Sequence, residues 1–222
     1  MARTLSDDVR SELSVSPRAA WVAFSIALVS LSISLAVRDR VSVWAATGIA
    51  AAIGIAATAI AARGAVRAHF SISGAWVAAA IGIGIAMAIA THVLYPIGVS
   101  LVPGLEEEVA SLYRDLRAPP GPRAALPVLA AVVLAEELVF RGLLVALVER
   151  WGIKPSAIIV VATALYVVPQ IAGGSLVLIA LAASCGALWT WQRVVSGSML
   201  VPLITHALWD VLVFVLVPLP LT

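Results

Sequence analysis

Seven long apolar segments take up most of this 222-residue chain. A helix needs about 20 predominantly apolar residues to cross a bilayer, and most of the segments are close to that length or longer. The segment 176–191 is shorter, which predicts a tilted or partly buried helix. The segments comprise residues 19–37, 41–62, 72–93 (running on toward Pro96 and Pro103), 124–148, 153–171, 176–191 and 199–217. We therefore predict an all-α, polytopic transmembrane helix bundle of about seven spans.

The composition supports a membrane protein and excludes several other classes. Hydrophobic residues make up 62% of the chain and charged residues only 12%, whereas a soluble domain carries about 25% charged residues. A soluble globule, a disordered chain and a secreted disulfide scaffold are therefore excluded. The net charge is only +2, and the basic residues are spread along the chain without forming a patch. No nucleic acid partner is therefore expected. Cys185, the single cysteine, lies in an apolar run and is expected to be a small buried hydrophobe.

Polar stretches divide the chain into five parts. Residues 1–18 form a polar tail without the apolar core of a signal peptide, and residues 218–222 form a short C-terminal tail. Three spans occupy residues 19–103, and four occupy residues 124–217. Between them, residues 104–123 are predicted to contain a short amphipathic helix on the membrane surface, because apolar residues recur there at helical spacing. This helix is either a solvated loop helix without a role or a lid beside a substrate entrance.

The basic residues and tryptophans predict how the bundle lies in the membrane. With the N-terminus inside, the inner segments carry eight basic residues and the outer segments five, so the positive-inside rule favours a cytoplasmic N-terminus. Arginine outnumbers lysine and alanine is abundant, which indicates a bacterial protein and hence the bacterial plasma membrane. Six of the seven tryptophans, Trp189 among them, lie near predicted span ends and are interpreted as an interfacial belt. Trp209 lies deep in the last span.

A few ionisable residues lie inside the predicted spans. Such groups are unfavourable in hydrocarbon and therefore mark candidate functional sites. Two clusters occur at similar depth in spans that are far apart in sequence, which predicts that the clusters meet in space. His92, near the end of the third span, is a further candidate on the ground of its depth alone. The clusters are Glu136, Glu137 and Arg141 in the fourth span and His206 and Asp210 in the seventh.

The fourth span places two adjacent carboxylates on different faces of a helix. Each residue turns an α-helix by about 100°, so Glu137 and Arg141, four residues apart, share a face and can form an ion pair that braces the bundle. Glu136 lies on the face of Phe140 and is left without a local partner. Because an unpaired carboxylate in an apolar cavity can act as a general base, we interpret Glu136 as functional.

The seventh and fifth spans carry the remaining polar residues. His206 and Asp210 are four residues apart, so they can hydrogen-bond on one helix face, with Asp210 orienting and stabilising an imidazolium. Alternatively, they form a polar pair that holds two helices together. In the fifth span Gln170 follows Pro169, which removes a helical hydrogen bond. This break lies beside a wet cavity, or it is an ordinary kink with an incidental amide.

Three motifs in this order resemble those of the CAAX protease and bacteriocin-processing family of intramembrane endopeptidases. The family pattern is Glu-Glu-x-x-x-Arg, then aromatic-x-x-x-His, then His-x-x-x-Asn or Asp, on three membrane helices. Glu136, Glu137 and Arg141 match the first motif, and His206 and Asp210 match the third.

The second motif departs from the family pattern at one position. Tyr166 fits the aromatic residue, but Gln170 stands where the family has histidine. The resemblance covers about residues 124–217 and implies that this part is a four-helix catalytic core. Phe140, Tyr166 and Trp209 are expected to line the site.

The resemblance implies a role for each motif residue. In the family's usual scheme, the first glutamate and the second-motif histidine activate a water that attacks a peptide carbonyl, which makes Glu136 the base. His206 and Asp210 would stabilise the oxyanion. Gln170 could orient the water, but an amide does not accept the proton. Zinc prefers three or four His, Cys or carboxylate ligands and Gln170 is a poor one, so we expect neither zinc nor another cofactor.

Three functions are compatible with these residues. The first is an active intramembrane endopeptidase that acts on a membrane-associated peptide or protein within the lipid bilayer. The second is a catalytically impaired pseudoprotease that acts as a membrane partner, a regulator or an immunity protein, because Gln170 replaces the family histidine. The third is a small proton or ion carrier, since buried carboxylates and histidines also line transport paths. The first is our working hypothesis.

Overall fold

The computed structural model describes residues 13–220, and all regular secondary structure in that range is helical. Ten α-helices and two π-helical segments follow one another. The α-helices are α1 (Pro17–Ala36), α2 (Val43–Ala61), α3 (Arg63–Ala68), α4 (Gly74–Leu101), α5 (Leu105–Arg117), α6 (Leu126–Glu136), α7 (Val145–Glu149), α8 (Pro155–Ala172), α9 (Leu176–Ser196) and α10 (Leu200–Asp210). The first π segment, Glu137–Leu144, joins α6 to α7, and the second, Val211–Leu216, follows α10.

Five of these helices, α1, α2, α4, α8 and α9, are long and apolar enough to cross a membrane. The other two predicted spans each contain a π segment. The fourth span, which we call the central rod, runs through α6, the first π segment and α7, and the last span covers Leu200–Leu216. Every predicted span is therefore helical. The chain is an integral membrane protein, and the predicted polytopic all-α fold is confirmed.

The sixth span is longer than its apolar run indicated. It was expected to be short, but α9 has 21 residues and ends at Ser196, where Gly197 adopts a left-handed conformation (φ 67°). Gln192 and Arg193 interrupt the apolar run, yet both are buried inside the bundle. The prediction of a short span is wrong because backbone hydrogen bonds continue the helix past the point where the apolar residues stop.

Smaller differences concern helix ends and a proline. Helix α1 begins at Pro17, inside the predicted polar tail, with the Ser16 hydroxyl accepting a capping hydrogen bond from the Ala19 amide. Residues 1–12 of that tail, and residues 221–222 of the C-terminal tail, lie outside the described range. Pro169 lies within α8, which continues to Ala172.

The central rod is surrounded by the other helices of the bundle. All its side chains from Glu137 to Val148 are buried, because α1, α2, α3, α8 and α9 pack around it. On the outer helices, large apolar side chains such as Ile60 and Val160 remain exposed, as expected of surfaces that face lipid. A charge between Glu137 and Val148 is therefore far from water and requires a partner within the protein.

Helix α5 occupies the predicted surface segment and is held firmly against the bundle. The Tyr113 hydroxyl donates to the Val213 carbonyl oxygen at 2.7 Å. The Glu108 carboxylate accepts hydrogen bonds from the Ser175 hydroxyl at 3.0 Å and from the Val177 amide at 3.1 Å. This carboxylate caps the N-terminus of α9, where the helix dipole favours negative charge. Helix α5 is therefore a packed part of the bundle.

Candidate active site

A cavity of about 190 Å³ lies inside the bundle and contains most of the candidate site residues. Apolar side chains from α1, α2, α5, α6, α9, α10 and the second π segment form most of its wall. Its charged and polar lining residues include Arg38, Asp115, Glu136, Tyr166, Gln170, His206 and Asp210. The tertiary structure thus brings the three motif segments to one cavity, which we call the central cavity.

Glu136 is partly buried in the wall of the central cavity and bonds to α8. The Tyr166 hydroxyl donates to Glu136 Oε2 at 2.5 Å. The tyrosine ring is held in place by Phe140, with ring centroids 4.9 Å apart, and by the close approach of Gly186, where a Cβ atom would lie 2.7 Å from the ring. The prediction that Glu136 lacks a partner is therefore wrong, because its partner comes from another span and could not be seen from local spacing.

Glu137 and Arg141 form the expected ion pair and also contact a third side chain. Arg141 Nη1 lies 3.2 Å from Glu137 Oε1, and both side chains are fully buried. The same carboxylate oxygen accepts a hydrogen bond from His206 Nδ1 at 2.9 Å. Because a carboxylate can only accept, this arrangement assigns the proton to Nδ1. Arg141 also donates from Nη2 to the Gly186 carbonyl oxygen at 3.2 Å, so the network joins the central rod to both α9 and α10.

The ring of His206 is stacked on Trp189, with centroids 3.7 Å apart and planes at 18°. Its Nε2 atom lies 3.7 Å from Asp210 Oδ2, which is an ion-pair distance but too long for a hydrogen bond. The expected His206–Asp210 hydrogen bond is therefore replaced by the one to Glu137.

Trp189 is a site residue that sequence reasoning missed. It was assigned to the interfacial belt, but it is only 2% exposed, and the Arg141 guanidinium lies 5.4 Å from its ring centre. The assignment is wrong because α9 extends past the predicted end of the sixth span, to Ser196. Only the true length of that helix would have placed Trp189 inside the bundle.

Gln170 lies one helical turn after Tyr166 and lines the central cavity. It also borders a smaller pocket of about 20 Å³ together with Glu136, Phe140 and Tyr166. Trp209 lines the central cavity too, and its indole N–H donates to the Thr91 hydroxyl at 3.0 Å. Gln170 therefore lines the same two cavities as Glu136, and it occupies the motif position where the family has histidine.

Both π-helical segments begin directly after a site residue. The first starts at Glu137, next to Glu136, and the second starts at Val211, next to Asp210. Such segments occur frequently at functional sites, because their i→i+5 hydrogen bonds shift the side chains around the helix axis. An interpretation based on 3.6 residues per turn could not reveal them, since no residue pattern marks a π turn.

His92 lies away from the central cavity. Its Nδ1 atom is 2.8 Å from the Ala88 carbonyl oxygen, and its Nε2 atom is 2.7 Å from the Val217 carbonyl oxygen. It is not among the described residues that line the central cavity, so the suggestion that His92 approaches the site is wrong. Similar depth in the membrane does not place two residues on facing sides of their helices.

The described side chains offer no cluster suited to a metal ion. Within residues 13–220, no group of three or more His, Cys, Asp or Glu residues is arranged to hold one. That the protein works without a cofactor remains a prediction.

The fold and the central cavity define an integral membrane protein with carboxylates and a histidine gathered inside a helical bundle. The family model described as Type II CAAX prenyl endopeptidase Rce1-like matches residues 120–212. This part of the chain is similar to that family, which confirms the resemblance seen in the motifs and supports a function of the CAAX-type intramembrane protease kind. No curated protein and no solved structure matches the chain.

Proposed function

We propose that this protein is an intramembrane endopeptidase that hydrolyses a peptide bond of a membrane-associated peptide or protein. The observation that carries the proposal is that Glu136, Gln170, His206 and Asp210 line one cavity within the bundle. An activated-water mechanism requires a base and a group that stabilises negative charge, both within reach of the same bond. The central cavity offers both.

Glu136 acts as the general base. The Tyr166 hydroxyl holds Oε2, so Oε1 is the atom that accepts a proton from a water in the cavity. The hydroxide attacks the carbonyl carbon of the substrate and forms a tetrahedral intermediate with a negative oxygen. When the C–N bond breaks, the proton on Glu136 passes to the leaving nitrogen, and the carboxylate is restored.

His206 stabilises the negative oxygen. An imidazolium at this position is flanked by the carboxylates of Glu137 (2.9 Å from Nδ1) and Asp210 (3.7 Å from Nε2), which stabilise its charge by Coulomb attraction. Stacking on Trp189 fixes the plane of the ring. An Nε2–H donor aimed at the developing charge lowers the barrier by about 3–4 kcal/mol, by analogy with oxyanion-hole donors.

Gln170 orients the attacking water. Its amide can donate to and accept from a water beside Glu136, but it cannot take up a proton. A site that lacks one acid–base partner is slower by about 10²–10⁴-fold. The expected activity is therefore lower than that of a site with histidine at this position.

A catalytically impaired pseudoprotease is the second candidate. The specific observation in its favour is that Gln170 lines the same two cavities as Glu136, in the place of the family's histidine. In this case the cavity binds a membrane peptide without cleaving it, and the protein acts as a membrane partner, a regulator or an immunity protein.

A peptidase assay on four forms of the protein separates the two candidates. Wild type, Glu136→Gln, Gln170→His and the control Glu107→Gln are compared in detergent with a fluorogenic peptide library. Glu107 is a suitable control because its carboxylate is exposed on α5 and pairs with the exposed Arg114, at 3.1 Å.

Cleavage by wild type and Glu107→Gln, with loss of cleavage in Glu136→Gln, supports the endopeptidase. Cleavage that persists in Glu136→Gln contradicts the role of Glu136. Cleavage by Gln170→His alone supports the pseudoprotease. If neither wild type nor Gln170→His cleaves any member of the library, the result counts against the proposed mechanism.

A further inference from the structure

A cleft with two arginines in its wall lies beside the C-terminal end of α5. Its volume is about 400 Å³, and it shares only Leu116 and Phe214 with the central cavity. Arg117 on α5 and Arg123, just before α6, line this cleft, whereas none of its described lining residues is acidic. We call it the arginine cleft.

The two arginines have no carboxylate partner in the part of the chain that the structure describes. Both residues are exposed, and neither takes part in an ion pair among residues 13–220. The Arg117 guanidinium instead lies 5.9 Å from the centre of the Tyr113 ring, and a contact with a ring face leaves the N–H donors at the guanidinium edges unused. Because two like charges in one cleft repel each other, an anion bound between them offsets that repulsion.

Tyr113 holds the floor of the arginine cleft in place. Its hydroxyl donates to the Val213 carbonyl oxygen at 2.7 Å and accepts a hydrogen bond from the Leu219 amide at 3.1 Å. In the wall, Pro120 and Pro122 have no backbone N–H to offer. The floor of the cleft is therefore fixed, and its main anion-binding groups are the two guanidinium groups.

The arginine cleft lies at the level of the lipid headgroups. Helix α6 begins the fourth span at Leu126, and the second π segment completes the last span at Leu216, so the cleft lies where two spans reach the membrane surface. The side chains of Leu126, Leu216 and Val217, which flank the cleft in the sequence, remain exposed. Acyl chains can contact these side chains while a headgroup occupies the cleft.

We propose that the arginine cleft binds the phosphate group of an anionic phospholipid. A planar guanidinium can donate two parallel hydrogen bonds to phosphate oxygens, and basic residues near the membrane surface attract anionic lipids. A lipid with a net negative charge, such as phosphatidylglycerol, binds better than phosphatidylcholine, because the choline group cancels the charge of the phosphate.

A phosphate between Arg117 and Arg123 joins α5 to the segment that precedes α6. The bound lipid thereby stabilises the position of a helix that contributes Leu112 and Leu116 to the wall of the central cavity. The inference goes beyond the proposed function and does not depend on it.

The test measures lipid binding by the full chain in a nonionic detergent. Native mass spectrometry gives the Kd of dioctanoyl phosphatidylglycerol and of dioctanoyl phosphatidylcholine, and inorganic phosphate is titrated separately. Wild type is compared with Arg117→Gln, with Arg123→Gln and with the double variant. The control is Arg40→Gln, since Arg40 is exposed, has the same charge and lies outside the cleft. Arg40 belongs to the same end of the bundle, because its neighbour Arg38 pairs with Asp115 on α5.

We expect wild type to bind phosphatidylglycerol at least about tenfold more tightly than phosphatidylcholine, which corresponds to about 1.4 kcal/mol. Arg117→Gln and Arg123→Gln each lower this ratio, and the double variant brings it close to one, whereas Arg40→Gln keeps the wild-type ratio. Phosphatidylglycerol also raises the unfolding midpoint of wild type more than that of the double variant, because a ligand that binds the folded state stabilises it. If the double variant does not fold, the two single variants decide the test.

Equal binding of the two lipids by wild type overturns the proposal. An equal loss in Arg40→Gln and in the cleft variants also overturns it, because the preference then comes from the total surface charge. A wild-type ratio in the double variant shows that the anionic lipid binds elsewhere on the bundle. If inorganic phosphate alone binds wild type as tightly as phosphatidylglycerol does, the ligand is a free phosphate and the assignment to a lipid is wrong.

Discussion

His206 on α10 donates a 2.9 Å hydrogen bond to Glu137 on the central rod, although the two residues are 69 positions apart in the chain. The same oxygen of Glu137 pairs with Arg141 at 3.2 Å. A carboxylate that local spacing assigned to bracing the bundle therefore also holds the imidazole in its orientation. Stability and site geometry depend on one buried group.

Glu137→Gln is expected to lower both stability and activity. Breaking a buried ion pair typically costs about 3–5 kcal/mol, because the remaining charge, here Arg141, is left without its counter-ion. The thermal unfolding midpoint in detergent and the peptidase rate should both fall. Glu107→Gln, which alters an exposed pair, should leave both unchanged. A Glu137→Gln variant with wild-type stability would contradict the bracing role.

Tyr166→Phe tests the hydrogen bond to Glu136. The substitution removes only the hydroxyl, while the ring keeps its packing against Phe140. We expect a loss of about tenfold in kcat, the scale of one hydrogen bond to a charged group, with a small effect on KM. Tyr95→Phe is the matched control, since the Tyr95 hydroxyl is buried without a hydrogen-bond partner among the described residues. Equal effects of the two substitutions would show that the Tyr166 hydroxyl has no special role.

Gly186→Ala tests the close contact between α9 and α8. A Cβ atom at Gly186 would lie 2.7 Å from the Tyr166 ring, so the ring must shift and its hydrogen bond to Glu136 is disturbed. Overpacking of this kind costs about 1–3 kcal/mol, and activity should fall as well. Gly82→Ala on α4 is the control, because nothing lies within 4 Å of the added Cβ atom. The prediction fails if Gly186→Ala unfolds at the same temperature as Gly82→Ala.

Trp189→Leu tests the stacking on His206. Truncation of a buried tryptophan to alanine costs about 3–5 kcal/mol, so the leucine variant should lose somewhat less stability than that. The freed imidazole should also lower kcat. Trp191→Leu, two residues along α9 and 43% exposed, should change little. Trp189→Phe keeps an aromatic surface against the ring and should retain more activity per folded molecule than Trp189→Leu. Equal activity of the two folded Trp189 variants would argue against the stacking role.

Span positions and motif residues could be predicted from the sequence because both depend on short-range patterns. Helices in hydrocarbon satisfy their own backbone hydrogen bonds, so an apolar run such as 124–148 predicts a membrane-spanning helix directly. The Glu137–Arg141 pair was predictable for the same reason, since both partners lie on one helix. The short sixth span was predicted wrongly, because buried polar side chains, Gln192 and Arg193, interrupt its apolar run without ending α9.

The sequence by itself determined the helical membrane fold and the identity of the motif residues Glu136, His206 and Asp210. Only the tertiary structure decided which atoms meet. The bonds from Tyr166 to Glu136 and from His206 to Glu137 join residues on different helices. Such contacts depend on the rotation, depth and packing of each helix against its neighbours, and these quantities are set by the whole bundle, whereas apolar runs and i,i+4 pairs are set within one helix.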